Sequence, residues 1–249
     1  MPEDFCYSDF TEINYCKLIK LAKSRYEFIS YDYISDARDY TILLRHDVDF
    51  SLHRAMKLAT IEVENNIVST YFLHLHSNFY NLLEEEIFNI VKSIIKLGHK
   101  IGLHFDPSFY KLEIHEDEKL KRFLCLEKSL LENLFDVNVN VFSFHNPDIG
   151  GWTAFENYSV CGMINTYSKY LKENFTYCSD SNGYWRHKRL EDILLSNETR
   201  LHVLTHPEWW VPNEMSPRNR VHRCIDGRSD KCKYWYDTIL KEMGRENVR

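Results

Sequence analysis

The chain has 249 residues, 44% of them hydrophobic and 27% charged, which is the composition of a folded protein with a sizeable core rather than of a disordered chain. Its formal net charge is −6 and it shows no basic stripe, so nucleic acid is excluded as an expected partner. No apolar run approaches the length of a membrane span and no secretory leader pattern opens the sequence, so we expect a cytoplasmic protein with no membrane span.

From residue 40 onward, the hydrophobic pattern predicts strands and helices that alternate along the chain. An opening helix is predicted over residues 10–28 and a closing helix over 231–243. The strands are predicted over 40–49, 67–75, 100–105, 137–145, 162–167, 175–180 and 201–206, and the helices between them over 52–64, 84–97, 117–134 and 189–195. About seven parallel strands indicate an α/β fold, a distorted (β/α) barrel. The absence of repeats and linkers predicts a single domain over residues 1–249, with both terminal helices packed on it.

The seven cysteines are scattered, with no Cys-x-x-Cys pair. This spacing is typical of a reduced cytoplasmic protein and does not favour a zinc site made of thiolates. Cys16, Cys125 and Cys161 lie within apolar runs, where we expect them to be small core residues.

Polar side chains collect where the predicted strands end. In chain order they are Asp47, Asp49, His74, His76, His104, Asp106, His145, Asn146, Asp180 and His206. In parallel barrels the loops after the strands converge on one rim, and active sites are built there. The pattern therefore predicts a site at this rim, although an Asp-x-Asp pair also often caps a loop, and His74 and His76 could equally fill the barrel or lie on its surface.

Alternation along the first strand places Arg45, Asp47 and Asp49 on one face and His46 on the other. Two carboxylates on one face remain ionised at low cost only if a cation or an arginine compensates them. A divalent metal held by Asp49 and by imidazoles from other strands would do so. Asp47 could then act as a base beside the metal.

Several segments resemble, in order, the motifs of the NodB-homology polysaccharide deacetylases, carbohydrate esterase family 4. The strongest are Leu44-Arg-His-Asp-Val-Asp49, Ser69-Thr-Tyr-Phe-Leu73 and Gly98-His-Lys-Ile-Gly-Leu-His104, and the weaker ones are residues 142–147, 177–181 and 203–206. The resemblance covers about residues 43–210 and implies a distorted barrel. It also implies that Asp47 is the catalytic base, that Asp49 and His104 bind the metal, that His206 is the general acid, and that Asp180 orients His206.

The sequence departs from the family pattern at two places. The second metal histidine of the family would lie four residues after His104, where this chain has Ser108. The third motif, which in the family carries an arginine that supports the base, here reads His145-Asn146-Pro147. We therefore infer that His145 is the third ligand of a zinc site, with Asp106 as the alternative. Arg45 or Arg186 would supply the missing positive charge near the base.

The resemblance implies a metal-dependent N-deacetylase in which metal-bound water attacks an amide carbonyl of a sugar. The residues expected to bind substrate are Arg45, Asp106, Asn146, Trp185 and Arg186. A nucleotide-linked, lipid-linked or oligosaccharide substrate in bacterial surface polysaccharide biosynthesis fits a cytoplasmic enzyme. Two alternatives remain open, a hydrolase of a non-sugar C–N bond on the same scaffold and a non-catalytic carbohydrate-binding barrel.

Overall fold

The computed structural model describes residues 6–185 and 188–248. Within these residues a single nine-stranded sheet is accompanied by seven α-helices. The strands are β1 (Glu27–Phe28), β2 (Thr41–Val48), β3 (Thr70–Leu73), β4 (Lys100–Phe105), β5 (Val141–Phe144), β6 (Ser159–Val160), β7 (Met163–Asn165), β8 (Thr176–Ser179) and β9 (Arg200–Thr205). The helices are α1 (Glu12–Lys23), α2 (Leu52–Glu64), α3 (Glu85–Lys96), α4 (Asp117–Phe135), α5 (Lys169–Asn174), α6 (Leu190–Leu195) and α7 (Pro217–Glu242).

The strands follow the spatial order β6-β7-β5-β4-β3-β2-β9-β8, with β1 paired beside β2. Neighbouring strands run parallel except in the β6–β7 pair, which is antiparallel. The sheet curls into a half-barrel, and no ladder among the described residues joins β6 to β8. The predicted α/β fold is confirmed, and all seven predicted strands are present, with β1 and β6 as short additions.

The β2–α2 connection positions the rim of the sheet. Ser51 caps α2 by accepting a hydrogen bond from the backbone N–H of Arg54, which satisfies one of the free amides at the helix start. Leu52 and Ala55 on the inner face of α2 are fully buried. Because α2 begins so soon after β2 ends, Asp49 is held at the carboxyl edge of the sheet by packed elements on both sides.

The closing helix is much longer than predicted. α7 starts at Pro217, after Ser216 accepts a hydrogen bond from the backbone N–H of Asn219, whereas the sequence placed its start at residue 231. Its first half contains many charged residues and Gly227, so it lacks the apolar periodicity used to find helices. None of the helices in the described part of the chain combines the length and the apolar composition that a membrane span requires.

Cys125 in α4 and Cys161 in the turn between β6 and β7 form a disulfide. The expectations that these two cysteines are reduced and that they are core thiols are therefore both wrong for this pair. Their Cα atoms lie 5.5 Å apart, within the range that a disulfide requires. The two cysteines are 36 positions apart in the sequence, so only the packing of α4 against the β6–β7 turn reveals that they are neighbours.

Candidate active site

The carboxyl ends of β2, β3, β4, β5 and β9 surround one cavity with a volume of about 530 Å³. The acidic and imidazole side chains at its centre are Asp47, Asp49, His74, His104, His145 and His206. Aromatic side chains also line it, namely Phe50, Phe79, Phe144, Tyr167, Tyr177 and Trp209. Parallel strands bring their carboxyl ends to one edge, and seven of the ten polar residues predicted at the rim line this cavity; His76, Asp106 and Asp180 do not.

Alternation along β2 separates its polar side chains. Asp47 lines the cavity, and Arg45 donates a hydrogen bond from Nη2 to Oδ2 of Asp47 over 3.1 Å. His46 lies on the opposite side, fully buried. Its Nε2 lies 2.6 Å from Oε1 of Glu62 and its Nδ1 lies 2.6 Å from Oγ1 of Thr205. The predicted division of β2 between two faces is confirmed.

Three atoms of the kind that bind metals lie close together, and one of them is a carboxylate oxygen of Asp49. Its Oδ1 lies 3.1 Å from Nε2 of His104 and 3.4 Å from Nδ1 of His145, and these two nitrogens are 3.2 Å apart. Oδ1 of Asp49 is buried and has no hydrogen-bond partner in the described part of the chain. Ligands of a tetrahedral zinc ion, about 2.0 Å from the metal, lie about 3.3 Å from one another. The three atoms therefore have the spacing of three corners of such a site.

The charge at this cluster also suits a cation. Burial would raise the pKa of Asp49, but the imidazoles of His104 and His145 hold that pKa well below its usual value. Asp49 is thus a carboxylate, and its Oδ1 faces nitrogen atoms outside hydrogen-bonding geometry. A carboxylate oxygen with imidazole nitrogens is a donor set that zinc and other divalent transition metals bind.

Each of the two imidazoles is oriented by a second contact. Nδ1 of His104 lies 2.7 Å from Oγ of Ser143, and this hydroxyl donates to Oδ1 of Asp47 over 3.4 Å. Nε2 of His145 lies 2.8 Å from the side-chain amide of Asn146. Such outer contacts hold a ring so that its other nitrogen can bind a metal. Sequence reasoning missed Ser143, although it shares a strand face with His145.

His74 belongs to the same cluster. The sequence had left open whether it lies at the site, fills the barrel or lies on the surface. Its Nε2 is buried without a hydrogen-bond partner among the described residues, and one ligand atom each from Asp49, His74 and His145 lie within 4.8 Å of one another. Burial, together with the imidazoles of His104 and His145, lowers the pKa of His74 to about 2, so the ring is neutral. Asp106 is outside this group of three. Its Oδ2 lies 3.8 Å from Nε2 of His74, and it does not line the cavity.

His206 and Asp180 form a pair on the β8–β9 side of the cavity. Nδ1 of His206 lies 2.6 Å from Oδ1 of Asp180, and the backbone N–H of His206 donates to both carboxylate oxygens. Trp210 donates from Nε1 to Oδ2 of Asp180 over 3.2 Å. Burial alone would lower the pKa of His206, but Asp180 outweighs it and raises that pKa to about 10. The imidazole is therefore protonated at neutral pH, with Nε2 lying 3.9 Å from Oδ2 of Asp49.

Arg45 lies beneath the cavity wall, where it binds Asp47 and cannot reach a substrate. It is fully buried and is not among the residues that line the cavity, so its predicted role in substrate binding is corrected. Besides Asp47, its Nη2 donates to Oη of Tyr167 over 3.1 Å, and its guanidinium lies 5.5 Å from the ring centre of Phe72. Burial would lower the pKa of Arg45, but Asp47 raises it well above the usual value.

The other residues predicted to bind substrate do not all lie at the cavity. Asn146 lines the cavity. Trp185 does not, because it packs into the core, with ring centres 5.1 Å from Phe10 and 6.1 Å from Trp210. Arg186 lies outside the described residues. An aromatic residue near a strand end has no sequence signal that separates a cavity wall from a core contact, which is why the prediction for Trp185 is wrong.

Glu208 is a further residue that sequence reasoning missed. It is fully buried, and neither of its carboxylate oxygens has a hydrogen-bond partner in the described part of the chain. Burial raises its pKa well above the usual value, and the charge of Asp49 raises it further. Burial therefore favours the uncharged form of Glu208, beside the charge of Asp49.

Neither a model of a known protein family nor a curated protein matches the chain. Among solved structures, the chain is similar to a mutant of a CE4-family pseudoenzyme described as having restored enzymatic activity. The two are 12% identical with a TM-score of 0.43, and the match covers 76% of this chain and 62% of that one. The chain thus matches less than two thirds of that protein's length. A similarity at this level carries no argument about function, which has to come from this chain's own residues.

Proposed function

We propose that this chain is a metal-dependent hydrolase that removes an N-acyl group, in the simplest case N-acetyl, from a sugar. The observation that supports this most strongly is the cluster of three donor atoms from Asp49, His104 and His145, whose spacing suits a tetrahedral cation. A carboxylate and a protonated imidazole reach the same cavity. Metal-assisted amide hydrolysis uses this combination of a Lewis acid, a base and an acid.

The proposed metal ligands are Asp49, His104 and His145, and the imidazole of His74 lies beside them. One oxygen and two nitrogen ligands with an open position are typical of hydrolytic zinc, so zinc is the metal we propose. When bound, it would polarise an acyl carbonyl and make water more acidic. Ser143 and Asn146 hold the two imidazoles in place.

Asp47 is the proposed general base. Its carboxylate lines the cavity although only 2% of the residue is exposed, so water reaches it from the cavity side alone. Arg45 binds Oδ2 and Ser143 binds Oδ1. A carboxylate fixed at both oxygens can accept a proton from an attacking water without moving.

His206 is the proposed general acid. Its Nδ1 is engaged by Asp180, so the proton available to the cavity is on Nε2. Because Asp180 raises the pKa of His206 to about 10, the ring holds that proton at neutral pH. Proton transfer from Nε2 to the departing nitrogen would let the amine leave as a neutral molecule.

The cavity supports a sugar as the substrate. Its volume of about 530 Å³ lies within the range of about 300–1,000 Å³ that is usual for small-molecule sites. Phe50 and Trp209 offer apolar faces, and Asn146 offers an amide. An N-acyl sugar presents an apolar ring face together with hydroxyl groups and an amide, which these walls can contact. We retain nucleotide-linked, lipid-linked and oligosaccharide forms from surface polysaccharide biosynthesis as the substrates to test.

The test is acetate release from a panel of N-acetylated sugars, using protein stripped of metal by a chelator and then reloaded with Zn²⁺. We expect turnover only after zinc is restored. Asp49→Ala should lose at least about 100-fold in turnover, because removing a ligand costs more than the 10- to 100-fold loss that follows removal of an outer contact. Asp36→Asn changes an exposed carboxylate that does not line the cavity and should retain full activity.

Two results would overturn the proposal in different ways. If the protein hydrolyses small linear amides but releases acetate from no sugar, it is a hydrolase of a non-sugar C–N bond. If the protein binds no zinc and Asp49→Ala changes nothing, the chain is not a metal hydrolase, and a non-catalytic carbohydrate-binding barrel becomes the better explanation.

A further inference from the structure

A second cavity, with a volume of about 400 Å³, opens between the start of α2 and the first half of α7. Phe50 and Phe79 line this cavity and also line the candidate active site. The two cavities are therefore neighbours that share an aromatic wall. A molecule bound in one could extend into the other across Phe50 and Phe79.

The second cavity is rich in positive charge. The cationic side chains that line it are Arg54, Arg223, Arg228 and Lys231, and His53 adds an imidazole. Among the described residues that line it, none is an aspartate or a glutamate. The whole chain carries a formal charge of −6, so this cationic cavity, here called the basic pocket, differs in sign from the protein around it.

Acidic residues outside the lining compensate part of this charge. The ion pairs are Arg54 with Glu12 at 2.8 Å, Arg228 with Glu84 at 2.7 Å and Lys231 with Glu86 at 3.2 Å. Arg223 has no ion-pair partner within the described part of the chain. Arg54 is 7% exposed, and its Nε is buried without a hydrogen-bond partner among those residues. The basic pocket therefore keeps hydrogen-bond donors, on Arg54 and Arg223, that are not paired with an acidic residue of the described chain.

Two further features favour an anion in the basic pocket. Ser51, Leu52 and His53 line it, so the amino end of the 13-residue helix α2 adds its partial positive charge. Burial lowers the pKa of Arg54, the ion pair with Glu12 offsets this only in part, and the nearby cation of Arg223 lowers the pKa further. A bound anion would relieve this repulsion between like charges.

We propose that the basic pocket binds the phosphate or diphosphate group of a substrate whose N-acyl sugar occupies the adjoining active-site cavity. The inference rests on the proposed function and narrows its substrate to a phosphate-linked sugar. Several arginine and lysine donors around one site match the charge and the many acceptor oxygens of a phosphate group. The aromatic wall of Phe50 and Phe79 separates the phosphate from the sugar. A nucleoside diphosphate and a lipid diphosphate share this chemistry.

The first experiment measures binding without turnover. Inorganic pyrophosphate is titrated by calorimetry into protein freed of metal by a chelator, so that no phosphate can bind to zinc. We expect Arg223→Ala to weaken binding at least about tenfold, because a charged hydrogen bond is lost. Arg218→Ala removes an exposed arginine from the same helix, outside the basic pocket, and should bind pyrophosphate as the wild type does.

The second experiment uses the zinc-loaded enzyme with three N-acetyl sugars: a free sugar, a nucleoside-diphosphate-linked sugar and an isoprenyl-diphosphate-linked sugar in detergent. We expect at least one diphosphate-linked sugar to be the better substrate, and Arg223→Ala to raise its KM at least about tenfold while leaving kcat nearly unchanged. The KM of the free sugar should not respond to Arg223→Ala. Whichever diphosphate-linked sugar shows this dependence identifies the carrier.

The outcomes separate this inference from the proposed function. If the wild type binds no pyrophosphate, or if Arg223→Ala and Arg218→Ala bind it equally, the basic pocket is not a phosphate site. If acetate is released equally well from free and phosphate-linked sugars, the hydrolase stands and the phosphate inference fails. If pyrophosphate binding depends on Arg223 but no sugar releases acetate, the phosphate site stands and the proposed deacetylase activity fails.

Discussion

Replacing Glu62 with glutamine should destabilise the fold, because this carboxylate joins α2 to the strands that carry the site. Glu62 is fully buried. Its Oε2 accepts hydrogen bonds from Ser69 over 2.6 Å and from Tyr71 over 2.9 Å. Its Oε1 accepts a hydrogen bond from Tyr15 and lies 2.6 Å from Nε2 of His46. A glutamine has only one side-chain oxygen, so its NH₂ group would face donors at one of these two positions.

Two routes give the size of this effect. Burial would raise the pKa of Glu62, but His46 and the hydrogen bonds around it lower that pKa from 4.5 to about 2. At 1.36 kcal/mol per pKa unit, this difference corresponds to about 3 kcal/mol. Breaking one side of a buried ionic network typically costs about 3–5 kcal/mol. For a chain of this length we expect Glu62→Gln to lower Tm by roughly 6–12 °C.

The assay is urea unfolding of Glu62→Gln beside Glu64→Gln, which changes an exposed carboxylate in the same helix. Because the pKa of Glu62 is lower in the folded state than in the unfolded state, its contribution to the free energy of unfolding is complete above about pH 4.5. This contribution is lost as the pH falls towards 2. The stability gap between wild type and Glu62→Gln should therefore narrow between pH 6 and pH 3. If Glu62→Gln at pH 7 unfolds within about 0.5 kcal/mol of Glu64→Gln, the carboxylate does not hold α2 to the sheet.

Two further predictions concern the site. His74→Ala should weaken zinc binding by about 10- to 100-fold, because Nε2 of His74 is neutral, buried and without a hydrogen-bond partner among the described residues; a competition titration that shows unchanged affinity would make His74 only a cavity wall. Glu208→Gln should gain stability relative to the wild type, in the metal-free protein, as the pH rises above the usual glutamate pKa of about 4.5. Burial raises the pKa of Glu208 above its usual value, so the wild type loses stability as the pH rises from the usual value towards the raised one, whereas glutamine does not titrate. If the difference in urea midpoint between the two proteins stays constant as the pH rises from 4 to 8, this reasoning is refuted.

The parts of the fold that the sequence predicts well have both periodicity and boundary signals. Helix α2 has the predicted bounds because a capping serine precedes an apolar stripe at helical spacing. Strand β4 also has its predicted bounds, because Gly98 ends the preceding helix and an apolar run follows. Strands β1 and β6 are two residues long and exist only through pairing with neighbours. The first half of α7 is polar on most sides, so only the capping Ser216 and the following Pro217 mark its start.

The sequence predicted where the candidate site lies better than it predicted the hydrogen bonds within it. The ends of parallel strands meet at one edge in any such fold, which is why Asp49, His104 and His145 could be grouped from the sequence. Their metal-binding role stays a prediction. The position of Ser143 between His104 and Asp47 depends on the register of β4 and β5, and register is a property of the assembled sheet.

The two carboxylates of β2 and its following loop differ in what the protein provides for them. Asp47 is bound by Arg45 at one oxygen and by Ser143 at the other, so its charge is balanced within the chain. Oδ1 of Asp49 is also buried, yet it has no hydrogen-bond partner in the described part of the chain and faces the nitrogens of two imidazoles. A buried carboxylate oxygen without a partner is costly unless a cation occupies the space before it. In the proposed function, these environments favour Asp47 for proton transfer and Asp49 for the metal, and exchanging the two roles would leave each group without the partners its role requires.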